Sequence, residues 1–173
     1  MNDDVNIRAA LYGDIPLIHG MAEVVFRRTY AEILSPEQME YMMDWMYSEE
    51  HLREQMDSGH QYFLAFCGEV PAGYVSVQPE DAPEAGGRQV FHLQKLYVMP
   101  EFQGRGLGRT LFDRAVSSIA PCAPCRIELN VNRNNPAVKF YEHIGMRRLR
   151  QGDFPIGQGF YMNDYIMGLD VKG

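Results

Sequence analysis

The sequence predicts a mixed α/β fold in a single domain that spans residues 1–173. Short runs of strand-forming residues alternate with segments in which apolar residues recur at helical spacing, a pattern typical of this class. The length is that of one average domain and allows about two-thirds of the unfolded surface to be buried. A glycine-rich loop, Gln103–Gly108, joins a strand-like run to a helical one near the middle of the chain.

Capping residues and apolar periodicity divide the first half of the chain. Asp14 and Ser35 are predicted helix N-caps, each followed by a proline in the first turn, and Ser48 begins a further helix that ends at Ser58-Gly59. Two strand-like runs flank the turn GEVP and predict a hairpin. The predicted elements are a strand within 5–14, helices over 15–30, from Pro36 and over 49–57, and strands over 61–67 and 72–78.

The second half of the chain predicts the remaining strands and two helices. Glycine, proline and acidic residues over 79–89 predict a loose connection between strands, and glycines and Pro155 predict a loop over 152–159. The predicted elements are strands over 90–98, 126–132, 146–151 and 160–169, and helices over 109–120 and 137–145. The apolar residues of the Met-rich helix (Met39, Met42, Met43, Trp45 and Met46) are expected to form core or, alternatively, an adaptable wall for a flexible substrate.

Charge is distributed unevenly along the chain. The net charge of −7 is carried entirely by residues 32–57, whereas residues 103–150 are basic. A general nucleic-acid binder does not usually have this distribution, so no nucleic-acid partner is expected. An enzyme that joins an anionic cofactor to a cationic acceptor could have it, although the acidic helices could equally be a solvated face.

The cysteines and the hydropathy of the chain indicate its cellular location and whether it binds a metal or a membrane. The odd, low count of Cys67, Cys122 and Cys125 favours a reducing cytoplasm. The C-x-x-C pair lacks a second pair of ligands and precedes a strand, so neither a metal site nor a redox site is expected. No apolar run approaches a membrane span, and the first ten residues have no signal-peptide pattern, so no membrane partner is expected.

The glycine loop predicts an anion-binding site. Glycines before a helix leave backbone N–H groups bare at the positive end of the helix dipole, an arrangement suited to a pyrophosphate. A Walker loop is excluded because no Lys follows the glycines, and the G-x-G-x-x-G spacing of a dinucleotide fold is not met. Two main interpretations remain: a tight turn without ligand, and the pattern Gln/Arg-x-x-Gly-x-Gly/Ala, which Gln103, Gly106 and Gly108 match. A dinucleotide-binding module stays open as a minor alternative.

A second motif follows the glycine loop after one predicted helix and one predicted strand. Asn134, Ala137, Tyr141, Gly145 and Met146 match Asn-x-x-Ala-x-x-x-Tyr-x-x-x-Gly-Phe/Met. The two motifs together, in register over residues 91–146, resemble those of the GNAT (Gcn5-related) N-acetyltransferases. This resemblance implies the GNAT acyl-CoA N-acyltransferase fold and an enzyme that uses acetyl-CoA, without a metal, to acetylate a primary amine.

The resemblance also implies roles for individual residues. The backbone of Leu96, Tyr97 and Val98 would pair with the pantetheine arm, with the Val98 N–H donating to the thioester carbonyl oxygen as it gains charge. Asn134 would contact the cofactor arm, and Tyr141 would protonate the leaving thiolate. The pyrophosphate would be bound by Gln103, Gly104, Arg105, Gly106, Leu107, Gly108 and Arg109.

The base that deprotonates the amine is less defined. Many relatives place a Glu on the central strand, where this chain has His92 and Gln94. A strand period of two would place His92, Gln94, Leu96 and Val98 on one face, and histidine is a residue type that commonly serves as a base near neutral pH. His92 is therefore the candidate base, with ordered water as the alternative.

Further segments resemble the bacterial PaiA-type spermidine/polyamine N-acetyltransferases. They are SPEQM, VPAGYV and the ending FYMNDYIM. This resemblance implies a small amine acceptor such as spermidine or spermine, which the acidic segment would suit, and a homodimer. The alternatives are another acceptor, such as a protein N-terminus, an amino acid or an aminoglycoside, and a non-catalytic acetyl-CoA-binding regulator.

Overall fold

Seven strands form one sheet in the computed structural model, which describes residues 4–80 and 87–172. Their order across the sheet is β1-β2-β3-β4-β5-β7-β6, and the mixed α/β class predicted from the sequence is confirmed. The strands are β1 Val5–Ala9, β2 Gln61–Cys67, β3 Val70–Pro79, β4 Gln89–Val98, β5 Cys125–Asn132, β6 Arg147–Gly157 and β7 Phe160–Val171. The helices are α1 Ile15–Tyr30, α2 Pro36–Tyr47, α3 Glu49–Asp57, α4 Leu107–Ile119 and α5 Ala137–His143. Part of the predicted 79–89 connection, residues 81–86, lies outside the described residues.

Only one neighbouring pair of strands in this sheet is parallel. β4 and β5 run in the same direction and are joined by α4, whereas every other pair is antiparallel. A parallel pair needs a crossover connection, which here carries the glycine loop from the end of β4 into the start of α4. The topology therefore places the loop at the carboxyl end of the central strand.

Each face of the sheet is covered by its own helices. α4 and α5 pack on one face, where Leu111, Phe112 and Ile127 belong to the buried cluster. α1, α2 and α3 cover the other face, with Phe26 and Leu64 in a second cluster. Met39, Met42 and Met43 are buried in that second cluster and Met46 packs against it, so the interpretation as core is confirmed for these residues, whereas Trp45 is exposed.

Lys95 of β4 is buried beneath these helices and is 1% exposed. Its Nζ donates hydrogen bonds to the Met46 carbonyl oxygen at 2.9 Å, the Gln55 Oε1 at 2.9 Å and the Tyr62 hydroxyl at 2.6 Å. Nζ also lies 4.3 Å from the centre of the Tyr47 ring. Burial lowers the pKa of this amine well below its usual range.

The predicted loop over 152–159 was wrong for residues 152–157, because β6 runs through Gly152 and Pro155 to Gly157 and pairs with β7. Gln158 and Gly159 form the turn between the two strands. β6 is an edge strand, where a proline without an N–H costs no ladder bond on its open side. The first strand is also shorter than the predicted 5–14, since it ends at Ala9 and a 3₁₀ turn occupies Tyr12–Asp14.

α2 docks onto the tip of the β6–β7 hairpin. The Tyr41 hydroxyl donates a hydrogen bond to the Ile156 carbonyl oxygen at 2.6 Å, and the Gln38 amide donates to that of Tyr161 at 3.0 Å. A Cβ at Gly157 would lie 2.7 Å from the Tyr41 hydroxyl, and the left-handed φ of +103° at this position also favours glycine. None of the helices in the described ranges is long and apolar enough to cross a membrane.

Candidate active site

The two central parallel strands separate along their length. β4 and β5 pair only over Gln89–His92 and Cys125–Glu128, yet β4 continues to Val98 and β5 to Asn132. Beyond the paired part, the edge of β4 that faces β5 has backbone N–H and C=O groups without a ladder partner on β5. Such groups are available to an extended ligand that inserts between the strands.

A β-bulge at Gln94 redirects the side chains of β4. Ser76 of β3 is opposite Lys95 and Val77 is opposite Leu93, so Gln94 is the extra residue. Leu93 and Leu96 consequently face the same α4/α5 cluster, although they are three positions apart.

The bulge contradicts the predicted face of the central strand. Leu96 and Val98 pack in the α4/α5 cluster, whereas the Gln94 Oε1 accepts a hydrogen bond at 3.1 Å from Gln78, the residue opposite His92. The prediction that His92 and Gln94 share a face with Leu96 and Val98 was therefore wrong, because strict alternation ends at the bulge.

A cavity of about 770 Å³ extends from the glycine loop past the separated strands to α5. The sequence-predicted site residues that line it are Leu96, Tyr97, Val98, Gln103, Gly104, Gly106, Leu107, Gly108, Arg109 and Tyr141. His92, Arg105 and Asn134 are not among its lining residues. The cavity thus brings together residues of both sequence motifs, which are separated in the chain by most of α4 and by β5.

The glycine loop has the conformation of an anion cradle. Gly104 and Gly106 have left-handed φ values of +81° and +80°, and Gly106 is the N-cap of α4. The first N–H groups of α4 lack intrahelical acceptors, and they border the cavity with the positive end of the helix dipole. A hydrogen bond of 3.1 Å from the Gln103 side chain to the Val98 carbonyl oxygen fixes the loop to β4.

Two arginines flank this cradle. The Arg109 Nε lies 3.2 Å from the Asp113 Oδ1, one helical turn further along α4. The Arg105 guanidinium lies 5.4 Å from the centre of the Phe102 ring. Both side chains can contribute positive charge near the N–H groups of the loop.

Tyr141 of α5 lies at the other end of the cavity. It is 7% exposed, and its ring contacts that of Phe140 with the centroids 5.3 Å apart. Burial raises the pKa of its phenol, and the nearby Tyr30 adds to the effect. Tyr141 is therefore protonated at neutral pH and can act as a proton donor.

His92 has a different environment from Tyr141. Its Nδ1 lies 3.1 Å from the Glu80 Oε1 at the end of β3. The carboxylate anchors the imidazole outside the cavity lining. The structure therefore does not bring His92 and Tyr141 together, and the proposed base role of His92 stays a prediction.

Sequence reasoning missed a group of polar residues that line the cavity. Asn135 is 8% exposed, donates a hydrogen bond to the Tyr30 hydroxyl at 3.2 Å and accepts one from the Ala137 N–H at 2.9 Å. The predicted Asn134 is exposed, and its N–H donates to the Asn132 side chain instead. The signal for Asn135 was its place two residues before a helix start, where an Asx side chain can accept a backbone N–H.

The acidic segment 32–57 presents its charge to solvent. All eight of its carboxylate side chains are exposed: Glu32, Glu37, Glu40, Asp44, Glu49, Glu50, Glu54 and Asp57. Two of them, Glu40 and Asp57, bind Arg27 and Tyr12. In the described part of the chain, no group of three or more His, Cys, Asp or Glu residues could hold a metal ion.

Comparisons with known proteins give a consistent result. Residues 30–155 match the family model of the acetyltransferase (GNAT) domain. An uncharacterised N-acetyltransferase of Lactobacillus delbrueckii subsp. lactis is 28% identical over 148 residues, which cover 83% of this chain and 85% of the relative. Thialysine N-ε-acetyltransferase of Caenorhabditis elegans is 28% identical over 106 residues, 60% of this chain and 65% of that protein. PaiA N-acetyltransferase of Thermoplasma acidophilum, solved with coenzyme A, superposes with a TM-score of 0.76 at 24% identity, covering 96% of this chain and 99% of that one.

Proposed function

Because this chain belongs to the GNAT acetyltransferase family, it is an acetyl-CoA-dependent N-acetyltransferase, and we propose that its acceptor is the primary amine of a small polycation such as spermidine or spermine. The observation that carries the proposal is the single cavity that joins the glycine loop, the separated strands and Tyr141. It offers an anion cradle, an unpaired strand edge and a proton donor along one path.

The residues of the cavity fit acetyl-CoA. We assign the pyrophosphate to the backbone N–H groups of the glycine loop, with Arg105 and Arg109 adding charge. We assign the pantetheine arm to the open edge of β4 at Leu96, Tyr97 and Val98. The cofactor supplies an activated acetyl thioester at the end of that arm.

In the proposed chemistry the N–C bond forms and the C–S bond breaks, while the nitrogen loses one proton before it attacks and a second from the tetrahedral intermediate, the second replacing the proton that Tyr141 gives to sulfur. Tyr141 holds a proton at its hydroxyl oxygen and donates it to the departing sulfur. The Val98 N–H is the candidate donor to the carbonyl oxygen as negative charge develops there. The amine must lose a proton before it attacks, because free primary amines are mostly protonated at pH 7. His92 or an ordered water is the proposed acceptor of that proton.

Charge and similarity support a cationic acceptor. The exposed acidic face of α2 and α3 would attract a polycation toward the enzyme. The similar proteins include a thialysine N-ε-acetyltransferase, named for an ε-amino acceptor, and a PaiA N-acetyltransferase. We also propose a cytoplasmic location and a homodimer, the latter testable by light scattering of the purified protein.

A panel of acceptors tests the proposed function. Release of CoA from acetyl-CoA would be read with a thiol reagent in the presence of spermidine, spermine, putrescine, lysine or a set of peptides. We expect saturable turnover on spermidine or spermine. Turnover only on peptides or on another amine would overturn the polyamine acceptor and leave the acetyltransferase assignment in place. Binding of acetyl-CoA without turnover on any amine would favour the non-catalytic regulator.

A further inference from the structure

Asp164 of β7 is a buried carboxylate with no part in the chemistry described above. It is 2% exposed and lies opposite Asn132 of β5 and Gly152 of β6. Burying a charged group is costly unless hydrogen bonds or an opposite charge compensate it. A carboxylate at such a buried position is therefore expected to have a hydrogen-bond donor or a cation next to it.

The partner of Asp164 is Asn130, which lines the cavity. The Asn130 Nδ2 donates a hydrogen bond to the Asp164 Oδ2 at 3.3 Å. Because a carboxylate only accepts hydrogen bonds, it selects the NH₂ side of the amide and leaves the amide oxygen Oδ1 available as an acceptor. The second Asp164 oxygen accepts no hydrogen bond from any residue in the described ranges.

The charge of Asp164 is weakly compensated. Burial raises the pKa of its carboxyl, while the hydrogen bond from Asn130 and the charges of Arg133 and His92 lower it. Arg133 is itself bound to Asp153 at 2.7 Å and to the Gly152 carbonyl oxygen at 3.2 Å. Within residues 4–80 and 87–172, no cationic side chain forms an ion pair with Asp164. A cationic ligand near Asn130 would therefore be favoured electrostatically.

Tyr30 connects this pair to the catalytic end of the cavity. It lines the cavity, and its hydroxyl is influenced by the charge of Asp164. The same hydroxyl influences the pKa of Tyr141. Tyr30 is thus close enough to interact electrostatically with both Asp164 and Tyr141, and Asn130, Tyr30 and Tyr141 line the same cavity.

We propose that the Asn130 Oδ1 accepts a hydrogen bond from the ammonium group of the acceptor, and that Asp164 is a positioning residue that orients Asn130 and makes its site selective for cations. This inference rests on the proposed acetyltransfer to a cationic amine. Asn130 contacts the acceptor, whereas Asp164 acts on the acceptor only through Asn130.

Acceptor kinetics of Asp164→Asn test the proposal. The new amide can donate to the Asn130 Oδ1, which turns the Asn130 NH₂ toward the cavity and removes the negative charge. We expect the KM for spermidine to rise at least about tenfold, as for the loss of a charge-assisted contact, and the Kd of acetyl-CoA to stay unchanged. Asp170→Asn is the matched control, because Asp170 lies on the same strand and pairs with Arg88 and Arg126 at a distance from the cavity lining.

A double-mutant cycle separates positioning from a general structural effect. If Asp164 acts through Asn130, then Asn130→Ala combined with Asp164→Asn will raise KM no more than the worse single variant. Additive effects of the two substitutions would overturn the inference, and so would a KM for Asp164→Asn equal to that of the wild type. In both cases, turnover of spermidine by the wild type would still uphold the proposed function. A wild type that acetylates no cationic amine in the panel would overturn both, and acetyl-CoA affinity and Tm report folding in every variant.

Discussion

The side chains of Asn135 and Tyr30 are joined by a hydrogen bond of 3.2 Å across one end of the cavity. This bond connects the end of α1 to the turn that begins α5, so elements more than one hundred residues apart hold one wall in place. Burial raises the pKa of Tyr30, which keeps its hydroxyl protonated at neutral pH. The wall next to Tyr141 is therefore fixed by neutral polar groups.

Replacing Asn135 should destabilise the protein far more than replacing its neighbour. Asn135→Ala removes the buried hydrogen bond to Tyr30 and the acceptor of the Ala137 N–H, so we expect a loss of about 1–3 kcal/mol in the free energy of unfolding. Asn134→Ala, at an exposed position, should change it by less than about 0.5 kcal/mol. Urea denaturation of both variants measures this, and equal losses would show that Asn135 has no special role.

A methyl group at Gly73 should disturb the central strand. A Cβ there would lie 2.6 Å from the Tyr97 carbonyl oxygen, a backbone atom that cannot move without displacing β4. We expect Gly73→Ala to cost about 1–3 kcal/mol and to weaken acetyl-CoA binding. Gly20→Ala is the control, since its Cβ meets nothing within 4 Å and alanine favours the helix by up to about 1 kcal/mol. Unchanged acetyl-CoA affinity in Gly73→Ala would contradict the expected link to β4.

Removing the buried amine of Lys95 should change how stability depends on pH. Its pKa is lowered in the folded protein, so between that pKa and the ordinary 10.5 the unfolded chain binds more protons. Stability from this group therefore rises with pH across the window, with a slope of up to about 1.4 kcal/mol per pH unit. Lys95→Met should flatten that rise, whereas Lys139→Met, at an exposed position, should not. Denaturation at pH 7 and pH 9.5 measures the slopes, and parallel slopes for wild type and Lys95→Met would refute the prediction.

Arg109 should contribute to cofactor affinity through its charge. Arg109→Ala removes a cation beside the glycine loop, and we expect the Kd of acetyl-CoA to rise by about fivefold at low salt, as for an exposed charge pair. The difference should shrink at high salt because exposed charges are screened. Asp113→Ala, which removes the carboxylate 3.2 Å from Arg109, should leave affinity equal or tighter. Calorimetric titration at two salt concentrations tests this, and a salt-independent loss would indicate a packing effect instead.

The sequence predicted the fold class and most elements because their signals are local. Capping residues such as Ser35 fixed helix starts, and the Ser35 hydroxyl does accept the Gln38 N–H at 3.1 Å. The β6–β7 hairpin was missed at Gly152 and Pro155 because those residues break strands in general, and only the edge position of β6 makes them tolerable.

The site was only partly predictable for a related reason. The bulge at Gln94 could not be recognised from the alternation of residues in β4, because it is set by the pairing of β4 with β3. Asn130 and Asp164 are brought together by β5–β7 pairing, which joins residues thirty-four positions apart in the chain. Chemistry that depends on such tertiary pairing cannot be found from local spacing.

Steady-state turnover of Tyr141→Phe with acetyl-CoA and the best acceptor of the panel shows whether Tyr141 takes part in the reaction. If the Tyr141 hydroxyl protonates the leaving thiolate, kcat will fall at least about tenfold, while the Kd of acetyl-CoA stays within about twofold because the ring is retained. Tyr161→Phe, on the exposed hairpin, should match the wild type and serves as the control. A Tyr141→Phe enzyme with wild-type kcat would contradict the account, because the cavity would then join the two motifs without Tyr141 taking part in the reaction.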